Sequence, residues 1–183
     1  MKPEILTAEF ESRHSTTTEI DLLTTTAFEL QKFDLRSEVI KLIDSNSFIC
    51  DPIDFYQSLN TSNHLLMLTM YSIEQLATMR LFKLHDFNIG FALKDFEDSC
   101  EIVAVHNNEA IIKNIGKKLI EAAIRNGGNT LDHFGSRKLN ELYESMGFVE
   151  YAREPYNSDY DPDSEFQKRY GRLPVIYRKL VRS

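Results

Sequence analysis

Cysteine is scarce in this chain of 183 residues, and its two occurrences, Cys50 and Cys100, lie far apart without a C-x-x-C partner. That spacing excludes a disulfide framework and a thiolate zinc site as organising devices, so both are expected as reduced thiols. Long apolar runs are missing too. None approaches the length of a membrane span, and the opening MKPEILTAEFESRH has no basic head followed by an apolar stretch. No membrane association is therefore expected, and a cytoplasmic location is. Positive charge is in short supply, with 21 Lys and Arg against 28 Asp and Glu. A protein that grips duplex nucleic acid through its phosphates shows a basic face, so this balance argues against nucleic acid as a partner. One local basic cluster, Arg169, Arg172, Arg178, Lys179 and Arg182, reads as solvated strand edges and a tail. Internal repeats, low-complexity tracts and nucleophile-elbow serines are absent as well. His106, Asp132 and His133 have no ligand-spacing motif, so no metal is expected.

What is present suffices for one domain with an appendage, since 42% of the residues are hydrophobic. The acidity is concentrated early. Residues 1–64 hold 5 Lys and Arg against 11 Asp and Glu, whereas the remainder holds 16 against 17. Residues 1–64 are therefore read as an acidic, mostly helical N-terminal extension, and residues 65–183 as the main domain. Within the extension, residues 1–18 form a loose or edge-bound start, and residues 19–33 suit helix or strand. Leu35, Val39, Ile40 and Ile43 fall at helical spacing, and Asp51-Pro52 caps a short helix running to residue 59.

From residue 65 the pattern changes. The run LLMLTMY at 65–71 predicts a central strand, and Ser72-x-x-Gln75 has the capping-box spacing of a short helix. Residues 80–84, 89–94 and 101–106, separated by the turns HDFN and DFED, predict an antiparallel meander. A β-α-β-α-β unit follows over residues 101–148, around which the chain is organised. Its crossover helix carries an apolar stripe of Ile115, Leu119, Ile120, Ala123 and Ile124 and closes at Gly127. Lys113, Asn114, Ile115 and Gly116 are read as this helix's first turn, with Lys117 and Lys118 beside it. Free amides and the dipole at such a turn suit a phosphate or diphosphate.

The strand at 101–106, the KNIGKKL loop and helix at 113–119, and LYESMGF at 142–148 together resemble the GNAT superfamily of N-acetyltransferases, in particular its small phage and prophage members. The resemblance covers roughly residues 65–180. It implies an α/β (α+β) fold with a mixed, mostly antiparallel twisted sheet flanked by helices. It implies acetyl-CoA as co-substrate, with the diphosphate held at Lys113, Asn114, Ile115, Gly116, Lys117 and Lys118. It implies an oxyanion donor in the backbone at Val105, in a splayed strand, and Tyr143 as the acid that protonates the departing thiolate. Glu101, at the head of its strand, is then the candidate base, and His106, titrating near neutrality, the second candidate. The loop departs from the family's Arg/Gln-x-x-Gly-x-Gly/Ala pattern, with Ile111 and Asn114 in the first two places and only Gly116 matching. Two functions follow: an N-acyltransferase acting on an amine of a small molecule or protein, or a catalytically degenerate scaffold, such as a phage factor, that engages a host protein. The Tyr, Asp and Pro-rich stretch at 154–174 is expected to pack over the sheet edge as part of the acceptor pocket or a partner surface.

Overall fold

The computed structural model describes residues 24–26, 28–49, 51–61 and 65–181. The expectation for residues 1–18 lies outside them, as do Cys50 and Arg182. The chain divides into two compact units, residues 1–39 and 40–183. Residues 24–26 and 28–44 are helical, the latter forming α1. Residues 40–61, which the charge count sets apart, belong to the same unit as the sheet.

That unit is mixed α/β, built on an open seven-stranded sheet: β1 (Phe48–Ile49), β2 (Arg80–Leu84), β3 (Ile89–Asp95), β4 (Cys100–Asn107), β5 (Thr130–Phe134), β6 (Phe148–Glu154) and β7 (Val175–Leu180). The strands lie in the order β1-β2-β3-β4-β5-β7-β6. Every neighbouring pair is antiparallel except β4 and β5, the ends of the crossover. The helices are α2 (Pro52–Asn60), α3 (Ile73–Leu76), α4 (Gly116–Arg125), α5 (Arg137–Glu144) and α6 (Glu165–Tyr170).

Local signals account for most boundaries. The Asp51 carboxylate caps α2 by accepting from the Asp54 amide at 2.8 Å, with Pro52 at the first helical position. Ser72 and Gln75 form the reciprocal capping box of α3. Gly127 ends α4 with φ 104°, a conformation closed to residues with a Cβ.

One expected element does not form. Residues 65–71 are not a strand: Leu65–Met67 make a single 3-10 turn, and the chain then runs without a ladder partner into Ser72. Leu68 and Tyr71 pack on the core cluster of Phe55, Leu59, Leu76, Leu81, Ala92 and Val103. The run is apolar because it lies across the sheet, and hydrophobicity alone does not separate that placement from a buried strand.

Register assigns the two faces. Leu81, Ala92 and Val103 pair across β2, β3 and β4 and so share one face, against which Phe55 of α2 packs. Continuing across the sheet, Glu101, Thr130, Asp132, Tyr177, Phe134, Val175 and Glu154 lie on that same face. The opposite face carries Ile102 and receives α4, whose Leu119, Ile120, Ala122 and Ala123 are buried. It also carries Arg178. This residue belongs to the cluster expected at the surface but is 2% exposed. Its guanidinium donates to His133 Nε2 (3.0 Å), Asn140 Oδ1 (2.9 Å), Glu144 Oε1 (2.9 Å) and the Phe148 carbonyl (3.3 Å). A cation so fully paired ties α5 to the sheet and is not available to a ligand. Among the described residues no helix is long and apolar enough to cross a membrane.

Close approach explains one glycine. A Cβ on Gly90 in β3 would stand 2.5 Å from the Phe82 carbonyl oxygen, whereas one on Gly116 would meet nothing within 4 Å. Gly90→Ala is therefore expected to cost about 1–3 kcal/mol of unfolding free energy in denaturant titration. Gly116→Ala, at an open helical position, is expected to cost nothing.

Candidate functional site

The sheet is interrupted at one place. β4 and β5 pair at Glu101 and Thr130, helped by the Asn129 amide on the Cys100 carbonyl (2.8 Å), and beyond that point no ladder pair joins them among the described residues. On its other side β4 carries a bulge. Gly90 pairs with His106 and Ala92 with Val103, so Phe91 alone opposes Ala104 and Val105. Ala104 has φ 51°, which costs a residue with a Cβ some strain and turns its peptide out of the ladder.

A cleft of about 810 Å³ occupies the resulting gap, with Val103, Ala104 and Val105 forming one wall. It passes through the sheet. On the α2 face it is bounded by Tyr71, Asp132, Glu154, Tyr156 and Tyr177, and on the α4 face by Ile120, Leu131, His133, Leu139 and Tyr143.

The sequence candidates fall in different places. Tyr143 lines the cleft and is 9% exposed, its ring against those of His133 (4.8 Å between centroids) and Phe148 (6.1 Å). Burial, and then the Asp132 charge, push its phenol up to about 12, so it stays protonated at neutral pH. Val105 is in the wall, at the bulge. Glu101 is half-buried beside the cleft and not in its wall. Its carboxyl is raised above the ordinary carboxylate range by burial and by Asp132, partly opposed by Lys94.

His106 is elsewhere. It is 4% exposed, stands edge-on to Phe55, and does not reach the cleft wall. Since a carbonyl only accepts, Nδ1 donates to the Ala104 oxygen (2.9 Å) and Nε2 accepts from the Ser58 hydroxyl (2.8 Å). Burial lowers its pKa to about 4, the Ala104 bond opposing and Lys83 assisting. The imidazole thus holds the strained carbonyl of the bulge and is neutral, with both nitrogens committed.

The proposed anion turn is displaced by a few residues from the expectation. α4 begins at Gly116 with Ile115 as an uncapped N-cap, so Lys113 and Asn114 precede the helix and the first-turn amides belong to Gly116, Lys117 and Lys118. Ile115 is buried, and Lys118 lies 3.4 Å from both Asp44 and Glu121. Asn114 takes φ 61°, the left-handed conformation that Asn tolerates best after glycine. This turn is not part of the cleft wall, but Ile120 is, one helical turn or about 6 Å along the axis from Gly116.

Residues missed in the sequence also meet here. Tyr71 terminates the run read as a strand; its phenol is raised to about 12 by burial and by Glu101 and Asp132. Asp132 keeps contact with solvent through the cleft, yet the protein around it displaces enough water to raise its carboxyl, and Glu154 adds to the rise. The stretch after β6 packs as a wall. Asp161 accepts from the Tyr156 hydroxyl (2.7 Å), the Phe166 amide (3.0 Å) and the Gln167 amide (2.9 Å), and the Phe166 ring lies on Phe134, 4.3 Å between centroids.

Compared with protein-family models and with curated proteins, the chain matches none.

The pinned histidine has a measurable signature. Its pKa falls from 6.5 unfolded to about 4 folded, so between those values the unfolded chain binds a proton that the folded chain does not. This contribution is fully present above pH 6.5 and drains as pH falls toward 4, by about 3 kcal/mol over the interval. Stability measured against pH is expected to show a shallower acid slope, by one proton, in His106→Gln.

Proposed function

We propose that the chain is an acetyl-CoA-dependent N-acyltransferase of the GNAT type, acting on an amine. The observation that carries this reading is the gap between β4 and β5, opened beside a bulge and lined by Val105 on one side and the Tyr143 phenol on the other. A thioester and an amine entering from opposite faces of a sheet meet in such a gap.

The co-substrate fits the residues present. The cleft wall contains no Lys or Arg among the described residues, which suits a neutral pantetheine arm. The charged end belongs outside it, at the open first turn of α4 beside Lys117, where a Cβ on Gly116 would meet nothing. Glu101, directly or through a water, accepts the proton lost by the amine as its nitrogen bonds the acyl carbon. The Val105 N–H, in the peptide whose carbonyl His106 holds, donates to the acyl oxygen. Tyr143, protonated at neutral pH, returns a proton to the sulfur as the C–S bond breaks. His106 then serves as a positioning residue that holds the bulge.

The competing reading, a scaffold that binds a protein and has lost catalysis, draws on Asn114 and Ile111 in the loop. Calorimetric titration separates the two. Acetyl-CoA is expected to bind the chain, and Gly116→Glu to weaken it at least tenfold with the thermal melt unchanged. Tyr143→Phe is expected to lower kcat about a hundredfold while preserving acetyl-CoA affinity. The acid limb of kcat/KM is expected above the usual carboxylate range, because the Glu101 pKa is raised, and to be lost in Glu101→Gln. Absence of any acetyl-CoA binding at millimolar concentration favours the scaffold.

A further inference from the structure

We infer that the α2-face half of the cleft binds a small aliphatic amine carrying at least two positive charges, of the linear diamine or polyamine class. As an assignment of the acyl acceptor this rests on the acyl-transfer reading; as a binding site it does not.

Register places the two anionic points. Asp132 of β5 pairs with Tyr177 of β7, while Phe134 pairs with Val175 and Val175 with Glu154 of β6. Asp132 and Glu154 therefore project from one face, two strands apart and one two-residue step along. Their Cα atoms are about 12 Å apart by sheet geometry. Tyr177 and Val175 form the floor between them, and all four residues line the cleft. Two carboxylates separated by an apolar and aromatic floor match two ammonium groups joined by methylenes, which a single ammonium does not. No Lys or Arg among the described lining residues neutralises them. Among the described residues neither carboxylate is in an ion pair of the kind that holds two other acids of this sheet, Asp95 on Arg80 and Glu150 on Arg153. Tyr71 and Tyr156 present further aromatic surface to a cation.

A second observation points to a ligand in the same cleft, from its α4-face side. Tyr143 is nine-tenths buried and lines the cleft, and among the described residues none bonds its phenol oxygen. Its side chain is enclosed while its oxygen opens to the cleft, so the partner of this phenol comes from the cleft. Size comes from the third side. Asp161 folds the stretch after β6 over the cleft and brings Phe166 into its wall, which bounds a space that a slender chain can enter.

The experiment is calorimetric titration of the full chain, alone and saturated with CoA, with spermidine, hexamethylenediamine, n-hexylamine and hexanediol. The diamine and spermidine are expected to bind at least tenfold more tightly than the monoamine, and the diol not at all. Asp132→Asn and Glu154→Gln are each expected to weaken the diamine about tenfold with acetyl-CoA affinity unchanged. Glu154 is exposed, so its variant tests the idea even where Asp132→Asn impairs folding. Equal affinity for monoamine and diamine, or binding of acetyl-CoA with no binding of any amine, overturns the inference. Diamine binding without acetyl-CoA binding supports it and removes the acyl-transfer reading instead.

Discussion

Two parallel strands that separate after a single register position leave backbone groups and apolar side chains facing a gap, and the structure around β4 is arranged to hold that gap open. The bulge at Ala104 and Val105 bends β4 away, at the expense of a non-glycine residue in the left-handed region. Such a conformation persists only where its surroundings impose it. Here they do so through a relay from Ser58 on α2 to the neutral His106 ring to the Ala104 carbonyl, in a core where Phe55 excludes water. Gly90, opposite, leaves the space that the neighbouring strands need. Ser58, His106, Phe55 and Gly90, which hold the bulge, thus lie outside the lining of the gap, and only the bulge itself, Ala104 and Val105, belongs to both.

That division explains what the sequence discloses. Caps and turns depend on short-range chemistry, so Asp51-Pro52, Ser72-x-x-Gln75 and Gly127 mark helix ends correctly. Strands of the meander show the same local clarity. Residues 65–71 fail because an apolar run carries no information about whether its backbone has ladder partners. His106 fails in a different way. Its residue type suggests a titrating group, and only the tertiary position of Ser58 and the Ala104 carbonyl reveals that both nitrogens are occupied. Tyr177 and Glu154 meet Asp132 through β7, which enters the sheet between β5 and β6 after a long excursion; nothing in local spacing announces that. Tyr143 was legible because an i, i+3, i+4 pattern put it on the inward side of α5, although its exposure to the cleft was not.

Charge is treated in two ways in this unit. Arg178 and Lys83 are buried with their donors taken: Arg178 by His133, Asn140, Glu144 and the Phe148 carbonyl, and Lys83 by Asp54 (3.0 Å) and the Leu84 and His85 carbonyls. Such groups fix one arrangement of helices on sheet, since any shift leaves a charge unpaired in a dry interior. The carboxylates near the cleft, Glu101, Asp132 and Glu154, are held at its edge without that enclosure. Burial, and then their proximity to one another, raises the protonation range of Glu101 and Asp132.

Asp161 gathers a phenol and two amides from within its own stretch, which meets the end of β5 through Phe166 on Phe134 and the Pro174 carbonyl on the Gly135 amide. The loop between β6 and β7 is in this sense a self-knotted cassette whose internal order does not draw on the strands that flank it. A change of contour within the cassette is thereby separable from the pinned bulge, so the outline of the cleft's outer wall and the opening through the sheet rest on different contacts.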